Sequence, residues 1–596
     1  MDFEANDVSL LLKYVAGNGV KPESYHLDAG IRDIRLVRGT AAHPDAPPVE
    51  GFAEAAVDFT NNAVYLRSLV LTAHSKGSAD RVLRIAGELD DFTHPRWNAS
   101  VQGELDLKLM EPALGYPSTP EGIAKLNLVA AGHAGEFRID GTVHADNASY
   151  IGTGVVARGV RLDAHVHADA LRLQITNVTA RLKAGGQLEG EVLLDHWIPP
   201  LSGAPVVQAA EPPKHEKKGR IHEPATPPAT AKVDTNLHTD GKVNAYFRDV
   251  TLDTLLDMVS QPPFQRLGMD ARLNGLTKAD WSDGDVDTLT VSANLNLSPS
   301  GRRVADEAPT SGAIDGTYLQ RSGAVDLRNL QVNLPSSQVS AHGKLGAFPM
   351  TSPTGIAVEV HSRDLDDFDT VFTALGLTRN GKTGTSALPV DLDGQVDFKG
   401  TWTGSLVDPL LAGDLHASDL AVELPAGDKA AQPRVVHLDS LDATGSYSAK
   451  RIAIDRGEMK YGDASISADG TLTATSAPSP KAPGKPLFDA HSLLRAHVRA
   501  AAVNADDLAP LLSAPLPLTG QLSTQVTVDG PFDTLNGNGW LQLDNGTLYG
   551  EPLTRARAEG TITGHVVQLA SVTMNSAAGA VTGSGSYDLS ARRFAV

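Results

Sequence analysis

Gly376-Leu377-Thr378-Arg379-Asn380-Gly381-Lys382-Thr383 matches the pattern of a phosphate-binding loop, in which backbone N–H groups and a lysine cradle nucleotide phosphates. A working loop of this kind leaves a strand and opens a helix. Here a helical apolar pattern precedes it. Gly384-Thr385-Ser386-Ala387-Leu388-Pro389 follows and will not start a helix, so the segment reads as a helix-to-strand loop. Gly152-Thr153-Gly154-Val155-Val156-Ala157 imitates a dinucleotide fingerprint but lies in strand patterning with no helix after it. Asp283-Gly284-Asp285-Val286-Asp287 suggests calcium, yet Thr288 stands where a calcium-binding loop needs glycine and Asn294 where it needs a bidentate carboxylate. That segment reads as a solvated turn.

His165 and His167 share one strand face with Asp163 and Asp169, which would make half of a metal site. Leu162, Ala164, Val166 and Ala168 fill the alternate positions, so the polar set is also what a wet face shows. The wet face is the expectation. The basic cluster from Lys214 to Arg220 could meet anionic headgroups, but in its Pro-rich setting it reads as a solvated charge run. The chain has no Gly-x-Ser-x-Gly elbow and no His-Glu-x-x-His pair, and no carboxylate pair is singled out. We expect no catalytic residue, no metal and no cofactor.

The elements that would position a site are strands. Leu289-Thr290-Val291-Ser292-Ala293-Asn294-Leu295-Asn296-Leu297 alternates apolar and polar residues without a break. Leu105-Asp106-Leu107-Lys108-Leu109, Leu171-Arg172-Leu173-Gln174-Ile175 and Gln525-Val526-Thr527-Val528-Asp529 do the same. Period two gives each strand one apolar face and one wet face. Gly, Asn and Asp punctuate the runs, as in antiparallel meanders. Short amphipathic helices are expected where apolar residues recur at helical spacing behind an acidic residue: Val8, Leu11, Leu12, Val15; Leu252, Leu255, Leu256, Val259; Leu365, Phe368, Phe372, Leu375; and Leu508, Leu511, Leu512.

Composition bounds the rest. The 596 residues carry a formal net charge of −20, which repels nucleic acid. With no cysteine, disulfides and thiolate metal sites are excluded. No apolar run is long enough to span a bilayer as a helix, and Met1-Asp2-Phe3-Glu4-Ala5-Asn6-Asp7 is not a signal peptide.

Larger units recur. Asp146-Asn147-Ala148-Ser149-Tyr150-Ile151-Gly152 is echoed by Asp544-Asn545-Gly546-Thr547-Leu548-Tyr549-Gly550. Gly-bounded strands (Gly268 to Gly275, Gly394 to Gly400, Gly520 to Gly530) follow helical patterns, and similar turns follow them (Gly404 to Pro409, Gly530 to Asp533). Repetition on this scale implies a stacked architecture. We divide the chain into β-groove repeats at 1–200 with a short N-terminal helix and a disordered Pro/Lys/His-rich linker or insertion at 201–235. Repeats follow at 236–348 and 349–475, then a Pro-rich loop at 476–486 and a truncated repeat at 487–596.

This order of motifs resembles the repeats of the AsmA superfamily, TamB-like proteins in particular, best over Gly530 to Leu589 and more weakly over nearly the whole chain. The resemblance implies an all-β fold with a few short helices, a long repetitive antiparallel sheet coiled into an elongated open groove. It implies a non-enzymatic scaffold that carries phospholipid between inner and outer membranes, or supports outer-membrane protein assembly and secretion. It also implies a bacterial periplasmic location and an inner-membrane anchor. The chain is then expected to be a fragment lacking that anchoring helix and the C-terminal region that would meet an outer-membrane β-barrel partner. Phospholipid acyl chains are the expected ligand. Candidate groove residues are Leu105, Leu107, Leu109, Leu171, Leu173, Ile175, Leu289, Val291, Leu295, Leu297, Val526 and Val528. The competing expectation is a tandem β-sandwich adhesin, in which the same side chains form closed cores.

Overall fold

The computed structural model describes residues 2–17, 23–37, 49–74, 80–110, 119–133, 136–152, 155–198, 239–259, 266–374, 378–379, 382–387, 394–424, 434–476, 487–489, 491–505, 518–531, 533–588 and 593–595. The linker at 201–235, most of the loop at 476–486 and the helical pattern at Leu508 to Leu512 lie outside them. The fold is all-β with a few short helices. The chain divides into two compact units, one of Met1–Arg248 with Thr277–Val291, the other of Asp249–Leu276 with Ser292–Val596.

In the first unit, strands from Val8–Val15 through Ser24–Val37, Val49–Phe59 and onward to Asp240–Thr251 each pair antiparallel with the next in sequence. In the second, the same meander runs from Ser311–Leu319 to Arg593–Ala595. Neither meander closes into a barrel. Outside these meanders, Asp2–Ala5 pairs with Ser24–Val37, and Met269–Asp270 pairs parallel with Ala308–Pro309.

The repeated Asp-Asn motif now has a backbone role. Asn147 and Asn545 both take left-handed φ, 56° and 49°. At each the pairing with the preceding strand slips, at Glu121/Ile123 and at Thr519/Gln521. Asparagine tolerates that conformation better than most residues, so the motif marks β-bulges that raise local twist.

Several expectations are corrected. Val8 to Val15 is an exposed strand, not a helix. Leu10, Leu12 and Tyr14 also satisfy period two, and pairing along Ser24–Val37 supplies backbone partners that an isolated two-turn helix lacks. The strand holding Leu105 ends at Asp106, whose carboxylate accepts the Lys108 N–H at 3.0 Å, and Leu107 and Leu109 fall in the 3-10 turn Leu107–Met110. Leu171 is a turn residue, 64% exposed, because Asp169 accepts the N–H groups of Leu171 (2.8 Å) and Arg172 (2.7 Å) and the strand begins at Arg172. Leu289 lies just ahead of the strand Thr290–Ser298.

The helix Leu252–Val259 forms as expected. The pattern at Leu365 becomes a 3-10 turn, Leu365–Phe368, running into the helix Asp369–Ala374, with Asp364 accepting from the Asp366 N–H. Of the phosphate-loop look-alike, the described residues form a two-stranded hairpin, Thr378–Arg379 with Lys382–Thr383, followed by the 3-10 turn Gly384–Ala387. A helix precedes that hairpin, so the strand–loop–helix that phosphate binding requires is not formed. Strand Glu136–Gly152 pairs antiparallel with Val155–Asp169, so the described residues of the dinucleotide look-alike, Gly152 and Val155 to Ala157, lie in strands.

Candidate functional site

Antiparallel pairing puts directly opposed residues on the same face, so the register shows which side chains line up across strands. In the first unit one row reads Leu10, Ala29, Ala55, Leu69, Ile85, Val101, Leu128, Gly141, Val166, Ile175, Val192 and Val243, strand after strand. No polar side chain interrupts it. Leu105 begins a parallel row through Ala124, Ala145, Leu162, Ala180, Leu188 and Phe247, and Leu173 sits in a third between Ala168 and Leu194. On the opposite face, Arg84, Gln102, Asn127, Thr142, His165 and Thr176 align.

The second unit repeats this arrangement. Val526 belongs to the row Val339, Val360, Phe398, Leu415, Ala443, Gly457, Ala468, Val498, Val526, Gly539, Gly560, Leu569. Val528 lies in the next row, with Val358, Gly400, Gly413, Gly445, Ile454, Gly470, Ala496, Gly537 and Ile562. A further row passes through Ile356, Trp402, Leu411, Tyr447, Ile452, Leu472 and Leu494. Leu295 and Leu297, 5% and 6% exposed, are the most enclosed of the expected residues, while Val291 is half-buried.

Glycines identify the inner side of the sheet. A Cβ on Gly413 would stand 2.3 Å from the Lys399 carbonyl oxygen and 2.5 Å from the Gly400 Cα. On Gly400 it would stand 2.3 Å from the Ala412 oxygen, and on Gly141 2.2 Å from the Asn127 oxygen. Close backbone approach of this kind accompanies a bend toward the crowded side, and these three glycines all belong to apolar rows. The apolar face is therefore the inner face. Tyr318 and Tyr447, which share that face, have hydroxyls whose pKa burial pushes up.

The outer face carries the titratable groups. His144 meets Asp163 at 2.6 Å and Asp146 at 3.0 Å, and hydrogen bonding to these carboxylates raises its pKa. His26 is raised in the same way by Asp58 and Asp28. His167 pairs with Asp140, which it holds below the ordinary carboxylate range. His416 faces Asp442 at 2.6 Å, and His361 pairs with Asp397. His165 is exposed and His167 half-buried, on the face opposite Ala164, Val166 and Ala168, and among the described residues no group of three metal-ligating side chains converges. A shallow depression of about 640 Å³ lies on this polar face between Glu359, His361, Lys399, Asp414, His416 and Arg456. Val360, Phe398, Leu415 and Ala443 of the apolar row also contribute to its lining.

Reasoning from local alternation missed Phe398, Trp402, Leu415 and Tyr447, although each occupies an alternating run such as Val396, Phe398, Gly400, Trp402. Among the described residues no helix is long and apolar enough to cross a membrane. No family model, curated protein or solved structure matches this chain.

Proposed function

We propose that the chain is a phospholipid-carrying β-groove of the AsmA and TamB-like kind, working as a periplasmic scaffold rather than an enzyme. The observation that carries this reading is the unbroken register of apolar rows on the inner face of each unit. Water wets such a face poorly. Each methylene removed from water contributes about 0.8 kcal/mol, so an acyl chain of roughly 15 methylenes gains roughly 12 kcal/mol by lying there. Rows continuous across strands let a chain slide from one strand to the next, about 4.8 Å at a time, without meeting a polar barrier. Support of outer-membrane protein assembly fits the same surface but has no separate observation in its favour.

The test is lipid retention. The purified chain is incubated with vesicles of phosphatidylethanolamine and phosphatidylglycerol, re-isolated, and extracted for phospholipid. The chain is expected to retain lipid, and Val526→Asp with Val528→Asp to retain much less while keeping its strand circular dichroism. A chain that emerges free of lipid would falsify the proposal.

A further inference from the structure

Lipid carriage leaves open which way round the lipid lies. In the second unit the two ends of the strands differ in chemistry. At one end the apolar face finishes in Tyr318, Trp402 and Tyr447, near the turns that close strands Ser311–Leu319, Gln395–Gly404 and Arg434–Ser448. Beyond the tyrosines stand cations: Arg321 in the turn after Tyr318, Lys450 and Arg451 after Tyr447, all exposed. Of these, Lys450 reaches Asp408 at 3.7 Å. At the opposite end the connections are mainly acidic, although the exposed Arg363 stands there too. Asp364, Asp366, Asp367 and Asp369 crowd the turn and helix after Thr354–Ser362, and Asp463 stands in the turn after Arg451–Tyr461, beside Asp439.

Apolar stripe, then aromatic ring, then cation is the order in which a phospholipid presents its acyl chain, ester region and phosphate. Tyrosine and tryptophan favour such boundaries because one end of each is apolar and the other polar. Trp402 also has an indole N–H that is buried without an acceptor in the protein. From Trp402 to Val396 the inner-face residues of one strand span roughly 20 Å, and one leaflet of hydrocarbon is roughly 15 Å deep. An acyl chain therefore fits along the strand.

The geometry points to a fixed orientation of the bound phospholipid, with its ester and phosphate region at the Tyr318, Trp402 and Tyr447 end and its acyl chains directed along the strands toward Val396. This inference rests on the lipid-carrying reading. A headgroup at the opposite end would face the carboxylates of Asp364 to Asp369, which repel phosphate.

The experiment keeps Trp402 as the sole tryptophan through Trp97→Phe, Trp197→Phe, Trp281→Phe and Trp540→Phe. The variant is loaded with phosphatidylglycerol brominated either near the ester end or near the methyl end of its acyl chains. The expected result is stronger fluorescence quenching by the ester-end bromines. Equal or stronger quenching by the methyl-end bromines, with lipid bound by mass spectrometry, overturns the orientation and leaves the lipid-carrying reading standing. Absence of bound lipid sinks that reading instead. If the variant loses its strand circular dichroism, the unsubstituted chain decides, using phosphatidylglycerol with a photoreactive diazirine on the headgroup. Adducts are expected on the peptide Tyr447 to Arg451, and adducts on Asp364 to Asp369 overturn the proposal.

Discussion

Adding one methyl group at Gly413 tests whether the apolar face is the inner side of the bend. Gly413 has no left-handed φ, so alanine meets no backbone penalty there, only the space around its Cβ. That space is occupied: the Lys399 carbonyl oxygen would be 2.3 Å away and the Gly400 Cα 2.5 Å away, both backbone atoms of a paired strand. Neither can rotate aside, so the strands must part or the bend must relax. Forcing a methyl into such a gap costs about 1–3 kcal/mol. Gly355, on a strand of the same unit, is the matched control, because a Cβ there meets nothing within 4 Å and its φ is equally permissive. At such a site Gly→Ala stabilises by about 0.4–1 kcal/mol by restricting the unfolded chain. The two variants should therefore move the urea midpoint of unfolding in opposite directions, followed by tryptophan fluorescence. A midpoint for Gly413→Ala equal to or above that of Gly355→Ala would refute the claim that strands crowd together on the apolar side.

Other outcomes follow from particular side chains. Leu295→Ala should cost about 2–5 kcal/mol in thermal or urea unfolding, as for a well-enclosed leucine, whereas Leu171→Ala should stay within about 0.5 kcal/mol; equal effects would contradict the turn placement of Leu171. Stability should also depend on pH through the outer-face pairs. His26 and His144 are raised by their carboxylate partners, so their contribution is complete below the ordinary imidazole value of 6.5 and is lost as pH rises through the raised value. Asp58 and Asp146 are lowered, so theirs is present above the ordinary value of 3.8 and is lost as pH falls through the lowered one. The midpoint should accordingly be higher near pH 5.5 than near pH 8, and His26→Gln with His144→Gln should flatten that difference. Raising the salt concentration should shrink it as well, because these pairs stand at the surface.

Period-two alternation along the chain determined the elements and their two-faced character. Leu295 and Leu297 could face inward, and His165 and His167 outward, on no more than the geometry of a pleated strand. The Asp-Asn repeats at 146 and 544 likewise announced a shared local conformation before their left-handed φ angles were known. Element limits were less legible, since Leu107 and Leu171 continue the alternation in letters while Asp106 and Asp169 bend the backbone away with side-chain hydrogen bonds. Val8 to Val15 satisfied both helical and strand periods, and only the partner strand Ser24–Val37 decided between them. Tertiary structure alone decided the rest. Alternation states that a residue is inward on its own strand, but register across strands sets whether Ile175 meets Val166 and Val192 or polar neighbours. The direction of bending depends on how closely backbones approach at Gly400 and Gly413, a contact between chain segments that no local pattern encodes.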